Sequence, residues 1–329
     1  MPVWLDHLVF GGKSRRKPVF SFLGTGMDPL RTRVYIDGYN LYYGCLKGTR
    51  FKWLDLLLLF ERHILPSILV ECDGEAVRSK LLPLAIKYFT APILEKAAKA
   101  QDSVASQARY HTALTKHHRE RIECIKGYYS LTKSKAKIVD DDNPARWPKE
   151  CQEILVWKLE EKQTDVNLAL HVYHDLLSNQ VDHAVVVTND TDIVPALQMA
   201  RKHTGAMIGL VIPTRDHQRI PNTDLAELAH WVRAHIRDEE LAASQLPRVI
   251  LGRKPTIKPV SWYARPDLLQ QVLDLASPIR GGQREAFKWM EAKNEHLGGE
   301  APIDLVETDE GSVRVLEYIH SYSAKNGID

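Results

Sequence analysis

The chain's 329 residues carry 44 Lys+Arg and 42 Asp+Glu, a formal net charge of +2, and 44% of them are hydrophobic. This composition argues for a globular protein with a full core and suits one large plus one small domain. The longest apolar run, Leu54 to Phe60, is broken by Asp55 and is too short to cross a bilayer, so no membrane association is expected.

Cys45, Cys72, Cys124 and Cys151 are widely spaced with no Cys-x-x-Cys pair, which argues against a zinc knuckle or a redox dithiol. A reduced, cytoplasmic protein is the plain expectation. The basic cluster Arg15-Arg16-Lys17 follows an apolar stretch rather than preceding it, unlike a signal peptide. Met27 offers an alternative start, and residues 1–32 read as an N-terminal extension. Charge is uneven: residues 267–329 hold 6 Lys+Arg against 12 Asp+Glu, so the larger part is basic. A basic surface attracts phosphate backbones, although a solvated face accounts for it equally.

In chain order, residues 33–37 read as a short buried strand and Trp53 to Leu65 as a helix stopped by Pro66. Lys80 to Phe89 reads as a strand with Pro83 at an edge or bulge. Asp102 to His117 has helical spacing, and Arg121 to Tyr129 alternates as one strand. Lys133 to Gln152 reads as a polar loop. Asp165–Leu177 is predicted as a helix, His183–Thr188 as a strand, Asp192–His203 as a helix stopped by Gly205, Ala206–Ile212 as a strand and Asn222–Val232 as a helix. Alternating strands and helices predict an α/β domain with a mainly parallel sheet, covered on both faces. Four prolines in 244–266 indicate a linker or arm. Beyond it, 267–277, 282–295 and 309–323 have helical spacing only, a small all-α module.

Four carboxylates concentrate the chemistry. Asp37 ends the first strand, Asp165 opens a helix, and Asp190 and Asp192 follow the strand 183–188. In a parallel sheet the carboxyl ends of the strands share one rim, so these acids are expected to meet. Any one alone reads as a helix or turn cap. Jointly they exceed what caps require, and a divalent cation relieves the repulsion among clustered carboxylates.

The segments Asp37-Gly38-Tyr39-Asn40, Lys162-Gln163-Thr164-Asp165-Val166-Asn167 and Thr188-Asn189-Asp190-Thr191-Asp192 resemble the NYN domain, a branch of the PIN-like metal-dependent nucleases. The similarity extends through Asp238-Glu239-Glu240-Leu241 to Trp262. It implies a three-layer α/β/α PIN-like, Rossmann-like fold over 33–243 and cleavage of nucleic acid, RNA more than DNA, with Mg²⁺ or Mn²⁺. It makes Asp37, Asp165, Asp190 and Asp192 the catalytic, metal-holding acids, with Asn40, Thr188 and Asn189 as polar support. Bound metal would activate water and stabilise charge on the phosphate oxygens. Lys162 is placed either to contact a scissile phosphate or to pair with Glu160 or Glu161.

Lys116, Arg119, Arg121, Lys126, Lys133 and Lys135, interleaved with Tyr128 and Tyr129, suit a nucleic-acid track or an ordinary polar face. Tyr39, Tyr42 and Tyr43 read as core under the sheet rim by default, or as base-stacking groups. A haloacid-dehalogenase-type phosphatase needs a second acid two residues after the first, and position 39 is Tyr.

In the last part, Trp289 followed by Asn294-Glu295-His296-Leu297-Gly298-Gly299-Glu300-Ala301-Pro302 and a later Asp309-Glu310-Gly311 resembles the toxin-binding domain of MbcA/ParS/Xre antitoxins. For 267–329 this implies a homo-oligomer or capture of a toxin-like protein partner. The sequence thus predicts a metal-dependent ribonuclease with an association module, or a non-catalytic adaptor in a toxin–antitoxin-like system.

Overall fold

A computed structural model describes residues 28–72, 74–215 and 219–326, so most of the 1–32 extension, with Met27, lies outside the described residues. The chain divides into two compact units, the first built on Leu54–Thr256 with the chain up to Lys47, the second on Ile257–Asp329 with Gly48–Trp53. No helix among the described residues is long and apolar enough to cross a membrane.

The first unit is built on a six-stranded parallel sheet. Its strands are β1 (Leu30–Asp37), β2 (Ser79–Thr90), β3 (Ile122–Lys126), β6 (His183–Val187), β7 (Met207–Val211) and β8 (Trp231–Arg233). Between β3 and β6 the chain forms a separate antiparallel ribbon, β4 (Tyr128–Lys137) with β5 (Glu153–Lys162). The sheet order is β8-β7-β6-β1-β2-β3, every pair parallel. Strand order reverses between β1 and β6, which makes their carboxyl ends the topological switch point. Val34, Tyr35 and Ile36 are fully buried, as are all residues of β6, because a central parallel strand is covered on both faces.

The crossovers are helical: α1 (Ser103–His117), α2 (Thr164–Leu177), α3 (Val194–His203) and α4 (Thr223–Leu228). Leu168, Val172 and Leu176 of α2 recur every fourth residue and pack with Tyr35, Ala184 and Val186 of the sheet. Each fully buried aliphatic side chain contributes about 1.5–3 kcal/mol. A polar anchor fixes α2 further. Asp175 Oδ2 accepts hydrogen bonds from Arg33 Nη1 at 2.8 Å, Tyr35 Oη at 2.7 Å and Lys87 Nζ at 2.7 Å. The three donors come from β1 and β2, so the helix is tied to two strands at one atom.

The mainly parallel α/β sheet and the helical C-terminal region agree with the sequence reading, and three local predictions are corrected. Residues 121–129 are not one strand but β3 and the start of β4, parted at Gly127. A Cβ there would lie 2.3 Å from Lys162 O and 2.5 Å from Thr164 Oγ1, so only glycine lets the ribbon base close on the start of α2. The predicted loop 133–152 is partly strand, and β5 had no sequence signal because a two-stranded ribbon has no single buried face. The predicted helix 222–232 stops at Leu228, and Trp231–Arg233 becomes an edge strand. Trp231 lies over Gly209 and donates from Nε1 to His183 Nε2 at 3.0 Å, and this packing overrides the helical period. Burial lowers the His183 pKa to about 3, so the imidazole accepts as a neutral ring. Pro83 falls where β1 advances from Thr32 to Val34 while β2 advances from Leu81 to Ile86, a bulge that spares its missing N–H.

The second unit packs α5 (Pro266–Arg280), α6 (Gln283–Glu291), α7 (Pro302–Leu305) and α8 (Asp309–Asn326) around Leu269, Leu273, Ala286, Met290, Val315 and Ile319. Gly281, at φ 82°, ends α5 in the left-handed conformation.

Replacing Asp175 with Asn leaves Arg33 and Lys87 buried without their counter-charge. Asp175→Asn is expected to lower unfolding stability by about 3–5 kcal/mol at pH 7, read from urea midpoints. Burial opposes ionisation of Asp175, but hydrogen bonds from Lys87, Tyr35 and Arg33 outweigh it and hold its pKa below the ordinary value. The stabilisation is therefore present above the ordinary carboxylate range and lost as pH falls below it, so the gap between the variant and wild type narrows in acid.

Candidate functional site

The rim at the switch point holds a cavity of about 370 Å³, near the lower end of the roughly 300–1,000 Å³ range of small-ligand pockets. Asp37, Asp165 and Asp190 line it together with Glu161.

Asp37 is placed by the end of β1 and is buried. Its Oδ1 accepts from Asn40 N at 2.9 Å, and its Oδ2 accepts from Asn40 Nδ2 at 2.6 Å and Thr188 Oγ1 at 2.9 Å. Burial raises its pKa, the bonds from Asn40 and Thr188 oppose that rise, and the charge of Asp190 adds to it. Thr188 Oγ1 also accepts from Asp190 N at 3.1 Å, so one hydroxyl links two of the acids. Asp190 in turn accepts from Asp192 N at 3.1 Å, capping the turn Thr191–Ile193. Asp165 stands at the start of α2, after Gln163 in the left-handed conformation at φ 73°. Its pKa is raised to about 6, first by desolvation and then by the charges of Asp37, Asp190, Glu161 and Asp192. Glu161 is raised as well, mainly by burial. The cavity is thus a region of negative potential in which Asp37, Asp165 and Glu161 hold protons more tightly than usual.

Aromatic rings line the cavity as well. Tyr39 and Tyr43 lie 4.4 Å apart between ring centroids, and Tyr42 meets Tyr43 edge-on at 5.2 Å. All three rings line the cavity and remain partly exposed, which corrects their default placement in the core. Tyr129 donates to Glu161 Oε2 at 3.3 Å. Lys99 supplies a cation to the lining.

The remaining sequence candidates lie elsewhere. Asp192 does not line the cavity. Asn189 faces α4, donating to Ile220 O at 3.1 Å and accepting from Asn222 N at 2.9 Å. Lys162 pairs with Glu160 at 3.3 Å. Several basic candidates are met by the protein's own groups: Lys116 donates to Lys254 O at 2.5 Å, Arg121 to Glu61 at 3.3 Å and Lys135 pairs with Glu153 at 2.9 Å. Lys133 lies over the Trp157 ring at 5.3 Å. Arg119 follows α1 and Lys126 ends β3, neither lining the cavity. Glu161, Tyr129 and Lys99 were missed because β5 and the segment before α1 carried no motif; only the Tyr128-Tyr129 pair offered a signal.

Among the described residues, Asp37, Asp165, Asp190 and Asp192 do not bring three ligand atoms within 4.8 Å of one another. Asp37, Asp165 and Asp190 share the pocket, with Asp192 outside its lining.

Comparison with known proteins adds three findings. Residues 269–323 match the family described as antitoxin Xre/MbcA/ParS C-terminal toxin-binding domain, in agreement with the sequence resemblance. The 6-hydroxy-3-succinoylpyridine 3-monooxygenase HspA of Pseudomonas putida (strain DSM 28022 / S16) is 64% identical over 300 residues, covering 91% of this chain and 96% of that protein. A crystal structure of a protein of unknown function, VPA0982 from Vibrio parahaemolyticus RIMD 2210633, aligns at 13% identity with a TM-score of 0.34, covering 64% of this chain and 95% of that one. The monooxygenase overturns the expectation of a metal-dependent ribonuclease and hydrolase, and with it Mg²⁺ or Mn²⁺ as the cofactor. Acids on a sheet rim do not by themselves choose phosphodiester hydrolysis.

The raised pKa of Asp165 has a thermodynamic sign. A carboxyl that holds its proton more tightly in the folded state stabilises the fold below its ordinary pKa, and that contribution is lost as pH rises through about 6. Asp165→Asn is therefore expected to raise the melting temperature at pH 8 and leave it nearly unchanged at pH 4. Because the group is solvent-screened, the gain should not exceed about 1 kcal/mol.

Proposed function

Because the chain belongs to the family of 6-hydroxy-3-succinoylpyridine 3-monooxygenase HspA, we propose that it is an oxidoreductase that adds oxygen to a hydroxylated pyridine. The single observation that carries this is 64% identity across nearly the full length of both chains. The rim cavity is the proposed substrate site. Tyr39 and Tyr43, tilted 37° to each other, offer aromatic faces to the ring, and Lys99 offers a counter-charge to the succinoyl carboxylate.

In 6-hydroxy-3-succinoylpyridine the hydroxyl at carbon 6 is para to carbon 3. Removing its proton raises electron density at carbon 3, where the relative's name places the oxygen. Carbon 3 bears the succinoyl group, so the new C–O bond replaces the C3–acyl bond and the acyl group leaves as the carboxylic acid, with dioxygen supplying the two added oxygens and the reductant the two electrons. With a pKa of about 6, Asp165 is largely ionised at neutral pH and close to the range of an effective general base. Asp37 and Asp190 keep that base in a negative field, while Asn40 and Thr188 hold Asp37 in place. The PIN-like NYN motifs remain as a proposed scaffold whose chemistry is not nucleolytic.

Monooxygenation also consumes dioxygen and two electrons, which a flavin or nicotinamide dinucleotide supplies in many enzymes. The first βα turn does not fit the phosphates of such a group. Gly38 is required by packing, since a Cβ there would lie 2.5 Å from Phe89 O, so it does not clear space for a pyrophosphate. The N–H of Asn40, which a phosphate would use, is already bonded to Asp37. The adjacent carboxylates would repel a phosphate.

The proposal is tested by supplying 6-hydroxy-3-succinoylpyridine, a two-electron reductant and ¹⁸O₂, and following label into the ring product by mass spectrometry. Absence of label rejects the reading. Asp165→Asn is expected to lower kcat by about 10²–10⁴. Wild-type activity should fall as pH drops through about 6, and the variant should lack that limb. Lys99→Ala is expected to raise KM by roughly tenfold with little change in kcat, as loss of a charge-assisted contact of about 1.4 kcal/mol would. For the C-terminal unit, self-association or capture of a protein partner is proposed from its family match, and sedimentation of the full chain as a dimer or larger species would support self-association.

A further inference from the structure

Away from the rim, Asp55, His117 and His118 form a separate cluster. Among the described residues it is the group of His, Cys, Asp and Glu side chains whose ligand atoms all fall within 4.8 Å of one another. We propose that these three side chains bind one divalent transition-metal ion of the Zn²⁺, Fe²⁺ or Co²⁺ class.

Asp55 is held in place before any ion arrives. It caps the helix starting at Leu56, its Oδ1 accepting from Leu58 N at 3.0 Å, and its own N–H donates to Ser244 O at 2.8 Å. Its side chain is almost entirely buried. The two imidazoles come from the end of α1, where His118 N donates to Leu114 O at 3.0 Å. His118 Nε2 lies 2.7 Å from Asp55 Oδ1, and His117 Nε2 lies 4.0 Å from Asp55 Oδ2. The two rings are 4.5 Å apart between centroids.

A hydrogen-bonded Asp–His clamp explains the 2.7 Å contact and nothing more. It does not explain why the second imidazole turns its Nε2 toward the other carboxylate oxygen at 4.0 Å, beyond hydrogen-bonding range. That gap is one an ion can span at its ordinary bond lengths of about 2.0–2.2 Å to His nitrogen and carboxylate oxygen. Two imidazoles with one carboxylate suit borderline first-row ions rather than Mg²⁺, and they leave further positions open for water. His117 is about one-third exposed, which gives an ion a route in and water a place to bind.

The test uses the full chain without a histidine tag, stripped by chelator and titrated with Co²⁺. Calorimetry and visible absorption are the readouts, and neither depends on turnover. One saturable equivalent with ligand-field bands is expected. His117→Gln changes a side chain that the clamp does not use, so it should fold normally by circular dichroism yet bind Co²⁺ at least about tenfold more weakly. His118→Gln should do the same, and His174→Gln, a histidine outside the cluster, should bind as wild type. No saturable binding to the wild type overturns the proposal, as does unchanged affinity in a folded His117→Gln protein. Neither result bears on oxygen transfer at the rim, whose test is independent.

Discussion

The first unit depends on one buried carboxylate. Asp175 gathers Arg33, Tyr35 and Lys87 at a single oxygen and so ties α2 to two adjacent strands, β1 and β2. A buried charge is tolerated only when its hydrogen-bonding capacity is met, and removing a partner is far more costly than never having built the group. The same anchor has a positional consequence. Asp165 sits ten residues before Asp175 on the same helix, nearly three turns away. With α2 fixed at Asp175, its first turn is delivered to the rim where β1 and β6 end.

At that rim the protein accepts electrostatic strain. Asp37, Asp165, Asp190 and Glu161 face a common cavity, and Asp37, Asp165 and Glu161 all hold protons more tightly than free carboxylates do. Asn40 and Thr188 stabilise the most buried of them by donating to both its oxygens. Tyr39, Tyr42, Tyr43 and Lys99 line the same cavity. A carboxylate poised near neutral pH is useful to several chemistries. The acids do not choose among them, and the proposal of oxygen transfer rests on the 64% identity to a named monooxygenase.

Much of the fold was legible because its signals are local. Val34-Tyr35-Ile36 and the run from His183 to Val187 are apolar enough to be strands covered on both faces, and α2 carries its buried stripe at every fourth residue. The C-terminal helices and their Gly-Gly turn were equally readable, and the family match at 269–323 agrees. β5 was invisible for a physical reason: Ile154, Leu155, Val156, Trp157 and Leu159 occupy both sides of a ribbon that buries neither, so no period of two emerges. Residues 231–233 misled because Trp231 is placed by Gly209 and His183, about twenty and fifty positions earlier, and not by its neighbours.

The sequence by itself determined which segments are strands and helices over most of the sheet, and that Asp37, Asp165 and Asp190 would reach one rim. Burial periodicity and the parallel topology are written into neighbouring residues. Only the tertiary structure decided how far apart those acids stand, that Asp192 and Lys162 turn elsewhere, and that Lys99, Tyr129 and Glu161 complete the cavity. It alone also brought Asp55 to His117 and His118. Distances between side chains remote in sequence are set by the packing of whole elements, and no pattern of nearest neighbours encodes them.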